Sequence, residues 1–215
     1  MTSLTFNSPQ FISDHFIVSP DLTHWTRSYV KTPHGTTSQR DRASFQKIDR
    51  VLQPETDLAF ALDQATGLYL LAFDLPQPSL YVGIAAEGPN PEGVARRIRK
   101  HCVKSMGSHV GSIDSTGGVH HPAKWRKFAI SRHEHFDGAE DVLADVRFVH
   151  ASATDGNQKS ILQNFERLIC SNAEGVLDQM RAALWPDYES KGVLLLTSGT
   201  VRLQDGFDGS IHLWP

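Results

Sequence analysis

The chain carries only two cysteines, Cys102 and Cys170, far apart and without a CxxC partner. That excludes a disulfide framework and a cysteine-built metal site, and the expected setting is the reducing cytoplasm. No stretch approaches the roughly 20 apolar residues of a membrane span, and Val193 to Leu196 is a strand-sized piece. No membrane partner is expected. The opening MTSLTFNSPQF lacks the basic start and apolar stretch of a secretion signal. No internal repeat or low-complexity tract interrupts the 215 residues. An excess of positive charge is also missing: 21 Lys and Arg stand against 24 Asp and Glu, a net charge of −3. That balance argues against a general polyanion binder, and the distribution of charge becomes the informative quantity.

That distribution is uneven. Between Val94 and His133 lie nine Lys and Arg, five His and one acid, Asp114. A second basic region, from Arg27 to Arg50, carries six cations against Asp41 and Asp49. Acids gather elsewhere, as expected of a protein with one phosphate-facing surface. Arg96, Lys100, Lys104, Lys124, Arg126 and Lys127 are the candidate nucleic-acid contacts, with the 27–50 region beside them. The bland alternative is a solvated helix face with accidental clustering.

The pattern of elements predicts an α+β fold, a small antiparallel three-stranded sheet flanked by helices. Residues 1–65 read as an N-terminal extension with a helix over Ser44–Leu52, 66–172 as a core, and 173–215 as a C-terminal helix and hairpin. Gly67–Phe73 and Leu80–Ala86 are apolar, aromatic-rich runs separated by a proline loop, hence a hairpin. Val94, Ile98 and Cys102 recur at helical spacing and predict a helix ending near Lys104. Val142–His150 reads as a strand, and Asn157–Cys170 as a helix capped by Thr154 or Asp155. A helix over Leu177–Leu184 and strands over Val193–Leu196 and Thr200–Leu203 follow.

Five positions in this layout carry chemistry. Tyr69 and Tyr81 fall on paired strands, each close to a glycine (Gly67, Gly83), so two phenols can share a face. Arg97 and His101 stack one turn apart on a helix, a phosphate-matching fork beside a group that exchanges protons near neutral pH. Glu166 sits beside an apolar stripe, where a carboxylate suits a hard ion such as Mg2+. Core packing, a surface Arg–His pair and a salt bridge are the ordinary readings of the same residues.

Taken together, GLY at 67–69, YVG at 81–83, ARRIRKH at 95–101 and LQNFERLI at 162–169 resemble the GIY-YIG nucleases, in order and with the right element under each. The resemblance implies DNA phosphodiester hydrolysis with Mg2+, or Mn2+ in its place, held by Glu166. Arg97 would neutralise the scissile phosphate. Tyr69 or Tyr81 would orient or activate water, and His101 would assist proton transfer. His120 and His121 stand near a further family histidine, and Asn172 is a weaker match to an asparagine that many members place later. The first motif reads GLY rather than GIY, and the insertion Ser105–Val119 is long. A restriction-type enzyme, acting as a homodimer on a palindrome, and a structure-selective repair nuclease fit the core equally. A non-catalytic nucleic-acid-binding module is the reading from another class. A zinc hydrolase built on His101, His109, His120, His121, His133 and His135 lacks any HExxH-like spacing.

Overall fold

The computed structural model describes residues 1–18, 52–86, 92–105, 128, 131–132, 135–136, 143–188, 192–197 and 206–214. The basic 27–50 region, the Ser105–Val119 insertion beyond Ser105, and Lys124, Arg126, Lys127, His120 and His121 lie outside them. So do residues 44–51 of the expected helix and the strand expected at 200–203.

The hairpin forms as expected. Strand β5 (Gly67–Phe73) pairs antiparallel with β6 (Ser79–Ala85), with Gly67 opposite Ala85 and Phe73 opposite Ser79. Strand β7 (Val146–Ala153) pairs antiparallel with the other edge of β5. These three make an antiparallel centre, yet the sheet does not stop there. Strand β1 (Thr2–Phe6) and strand β2 (Gln10–Phe11) pair in succession along the free edge of β7. Strand β8 (Leu194–Leu195) runs parallel to β6, and β9 (Gly209–His212) parallel to β1. The sheet has seven strands, correcting the three-stranded expectation. The main-chain order is β8-β6-β5-β7-β1-β9, with β2 beside β7. A separate pair joins β3 (Phe16–Val18) to β4 (Leu52–Pro54).

Helices cover both faces because alternate residues of β5 bury in opposite directions. Tyr69, Leu71 and Phe73 face α1 (Asp57–Gln64) and α2 (Val94–Ser105), packing with Leu62, Val94, Ile98 and Cys102. Leu68, Leu70 and Ala72 face α3 (Lys159–Cys170) and α4 (Val176–Leu184), packing with Leu162, Phe165, Ile169 and Met180. All seven residues of β5 are buried, so it reads as a continuous apolar run rather than an alternation.

Several boundaries move. The strand expected from Val142 begins at Val146, after Leu143 and Ala144 close a helical turn. Gln158, rather than Thr154 or Asp155, precedes the first turn of α3, and no side chain caps it. Thr154 and Asp155 bind β1 instead, accepting from the Ser3 amide and the Thr2 hydroxyl. Helix α1, which the sequence reading omitted, starts at Thr56, whose hydroxyl accepts from the Ala59 amide.

Two arginines of the basic stretch prove structural. Arg99 Nη2 donates to both Asp63 carboxylate oxygens, at 2.8 and 3.1 Å, tying α2 to α1. Arg132, fully buried, forks onto Asp145 at 3.0 and 2.7 Å beneath the rings of Phe73, Phe128 and Phe136. The same Asp145 carboxylate accepts the Asp74 and Leu75 amides, so it organises the β5–β6 turn from β7. Neither arginine is available to a phosphate.

Candidate active site

The hairpin register decides where the tyrosines lie. Tyr69 sits opposite Gly83 and Tyr81 opposite Leu71, a diagonal pair on one face. A Cβ at Gly83 would stand 2.6 Å from the Tyr69 Cζ and Oη and 2.8 Å from the Tyr81 Cε1. The tyrosine rings therefore occupy the volume that any side chain at 83 would need. At the far end of β5, a Cβ at Gly67 would meet the Ala151 carbonyl oxygen at 2.3 Å, so glycine there permits the β7 backbone to approach.

Helix α2 lays His101 onto this pair. The His101 and Tyr81 ring centroids are 4.1 Å apart with a 35° tilt, and His101 and Tyr69 are 6.1 Å apart. The two phenol rings are themselves 6.1 Å apart. Tyr69 and His101 are buried, while Tyr81 is partly exposed. A hydrogen bond joins the phenols; it raises the Tyr69 pKa and lowers that of Tyr81, the sign expected when Tyr69 donates and Tyr81 accepts. Burial nonetheless pushes both phenols well above their ordinary range. Glu166 pushes Tyr81 further up and Arg97 pulls it down without restoring it.

Glu166 lies on α3, on the opposite face of the sheet, yet its charge acts on both phenols. The route is the edge of β6. There β8 pairs only with Ser79 and Leu80, and Thr197 takes over at Val82. The Thr197 hydroxyl accepts from the Val82 amide at 2.8 Å and donates to its carbonyl at 3.1 Å. Thr197 also hydrogen-bonds Cys170, whose thiol burial and the nearby Glu166 push up to about 12. Burial likewise raises the Glu166 carboxyl above its usual range, opposed by Arg167 and Arg97. A partly buried carboxylate that burial still holds above its usual range, despite two guanidinium groups, gains from any further positive charge.

Arg97 is half exposed, and it is not alone. Glu92, just before α2, lies 3.4 Å from the Arg97 Nε and 3.6 Å from the Arg96 Nε, and it also binds the Lys100 ammonium. Burial raises the Glu92 carboxyl, but Lys100, Arg97 and Arg96 outweigh it and hold the pKa below the usual range. One carboxylate thus draws together three of the cations expected to meet nucleic acid. The side chain of Lys104 lies outside the described residues.

Of the candidates, Tyr69, Tyr81, Arg97, His101 and Glu166 come together from β5, β6, α2 and α3. Asn172 is engaged elsewhere: its side chain donates to Asp178 at 2.8 Å and accepts the Asp178 amide at 3.1 Å, closing the link into α4. Glu92, Thr197 and Cys170 were not anticipated. Glu92 had a legible signal, since it stands four residues before Arg96 and eight before Lys100, one helical stripe. Thr197 had none, because its role depends on a contact across more than a hundred residues. Among the described residues no three His, Cys, Asp or Glu side chains gather as a metal-binding group. A single carboxylate is nonetheless compatible with Mg2+, which retains waters and takes remaining ligands from phosphate.

Comparison with protein-family models, with curated proteins and with solved structures finds no match to this chain.

Proposed function

We propose that the chain is a divalent-metal-dependent DNA endonuclease of GIY-YIG type, hydrolysing phosphodiester bonds at the Tyr69–Tyr81–His101–Arg97–Glu166 cluster. The observation that carries this reading is the packing of His101, one helical turn from Arg97, on Tyr81 at 4.1 Å and beside Tyr69 at 6.1 Å, with Glu166 close enough for its charge to act on both phenols. A core tyrosine pair has no use for a neighbouring carboxylate that its own burial makes unfavourable. A hydrolytic site has one.

The roles follow from the electrostatics. Glu166 would hold Mg2+, which supplies Lewis-acid stabilisation of phosphate charge. Arg97, half exposed beside it, offers a fork to the scissile phosphate. Both phenols are protonated at neutral pH, so Tyr81 acts as a hydrogen-bond donor that orients water or a phosphate oxygen, with Tyr69 behind it fixing its orientation. His101, stacked on Tyr81, would assist transfer of the released proton. The test is plasmid cleavage with and without Mg2+, comparing the parent with Glu166→Ala. Discrete metal-dependent products lost in the variant support the reading. Intact DNA across duplex, nicked and branched substrates with Mg2+ and Mn2+ overturns it in favour of a binding module. Product patterns on those substrates separate a restriction-type dimer from a structure-selective enzyme.

A further inference from the structure

Beside the cluster, between β4, α1 and the start of α2, lies a cavity of about 530 Å3. That is within the usual range for small-molecule pockets. Phe60, Gln64 and Gln53 border it, together with Arg96 and Glu92. The Asp63–Arg99 ion pair also lines it. Its two acids and two arginines sum to no net charge. Asp63 is already bound by Arg99, and Glu92 by Arg96, Arg97 and Lys100. Such a lining gives little welcome to a free anion. What remains at the rim is a ring, Phe60, that is 56% exposed, and two exposed primary amides, Gln53 and Gln64.

An exposed phenylalanine beside amides suits a flat, uncharged group with both donors and acceptors on its edge. A nucleobase is such a group: its face stacks on an aromatic ring and its edge bonds to side-chain amides. Position adds to chemistry. Arg96 borders the cavity, while the next residue, Arg97, belongs to the catalytic cluster, and Glu92 contacts both. Consecutive arginines bound by one carboxylate thus link the cavity to the cluster.

We propose that this cavity receives an unpaired nucleobase next to the scissile phosphate, so that the preferred substrate is DNA with an unstacked base at the cut. The inference rests on the nuclease reading above. It selects single-stranded, branched or locally opened DNA over uniform duplex, because a paired base cannot enter without unstacking.

The test measures binding by fluorescence anisotropy in EDTA, where no cleavage occurs. The probes are a single-stranded oligonucleotide and an equally long abasic sugar–phosphate chain. Phe60→Ala is expected to weaken the base-bearing strand about ten-fold, the usual scale of one lost stacking contact, and to leave the abasic chain nearly unchanged. Gln64→Ala is expected to act in the same direction, less strongly. Arg97→Ala should weaken both probes alike. Thermal melting of Phe60→Ala, a surface residue, checks that the fold persists. Equal effects of Phe60→Ala on the two probes, or none on either, overturn the pocket while leaving metal-dependent cleavage standing. Failure of the parent to bind either probe overturns the pocket, while the nuclease reading stands or falls on the separate Mg2+-dependent plasmid cleavage.

Discussion

Two carboxylates beside the cluster titrate in opposite senses, and the difference predicts opposite effects on stability. Glu166 has a raised pKa, chiefly from burial, so the folded state holds its proton more tightly than the unfolded chain does. Its ionised form is the unfavourable one, and its contribution to stability falls as pH rises through the raised pKa. Glu166→Gln should therefore abolish cleavage while raising Tm at neutral pH by a few degrees, the shift that about 1 kcal/mol produces in a domain of this size. Melting curves at pH 7 and pH 4 check it: the gain should shrink at the lower pH, and a lower Tm at neutrality would contradict the assignment. Glu92 runs the other way. Its lowered pKa adds stability that is present above the unfolded-state value and lost as pH falls through the folded one. Glu92→Gln should lower Tm at neutral pH, and the deficit should close in acid. The same variant should bind DNA more tightly, about three- to ten-fold at low salt. A logarithmic salt slope steeper by about one is expected as well, because one competing charge has left the cations. Anisotropy titrations at several salt concentrations read both quantities.

At the scale of elements, the hairpin and α2 were the most legible parts of the sequence, and the reason is local. Gly67–Phe73, Leu80–Ala86 and the Val94–Ile98–Cys102 stripe each announce themselves within a dozen residues, and turn residues separate them. Their conjunction also revealed Tyr69, Tyr81, Arg97 and His101, because register and helical spacing are short-range geometry. The site's dependence on Gly83 follows from that register. Gly83→Ala places a methyl 2.6 Å from the Tyr69 ring, with the Tyr81 ring 2.8 Å away on the same face. One of the two rings must shift, and Tyr69 is buried while Tyr81 packs on His101. A loss of about 1–3 kcal/mol is expected, the usual cost of overpacking. Near-UV circular dichroism should change with it, and cleavage should fall even at temperatures where the variant stays folded. An unchanged near-UV spectrum with full stability would show that the rings are not fixed as described. Charge was less legible than pattern: Arg99 and Arg132 look like surface cations in the sequence but bury against Asp63 and Asp145. A partner 36 residues away, in the case of Asp63, leaves no local sign of the pairing.

For the molecule as a whole, what stayed hidden was the joining of the chain's two ends. TSLTF at 2–6 and GSIH at 209–212 are too short and too polar to read as strands, and they become strands only through partners far along the chain. Strand β1 pairs antiparallel with β7 on one edge and parallel with β9 on the other, so it is an interior strand of the sheet. Its alternation places Leu4 and Phe6 in the same buried cluster as Phe165 of α3 and Leu68 of β5. That cluster supports α3 from beneath, and α3 carries Glu166. Residues 1–6 therefore help to hold Glu166 in place through packing. Leu4→Ala should cost about 2–5 kcal/mol, the range for emptying a filled core position. If α3 is held in place by this packing, metal-dependent cleavage should decline more steeply with temperature than in the parent, and high Mg2+ should partly restore it by favouring the folded site. Tm measured with and without 10-fold increments of Mg2+ separates the possibilities. A stability loss near zero would mean that β1 is merely apposed to the sheet, and α3 would then have to draw its support from β5, β6 and α4.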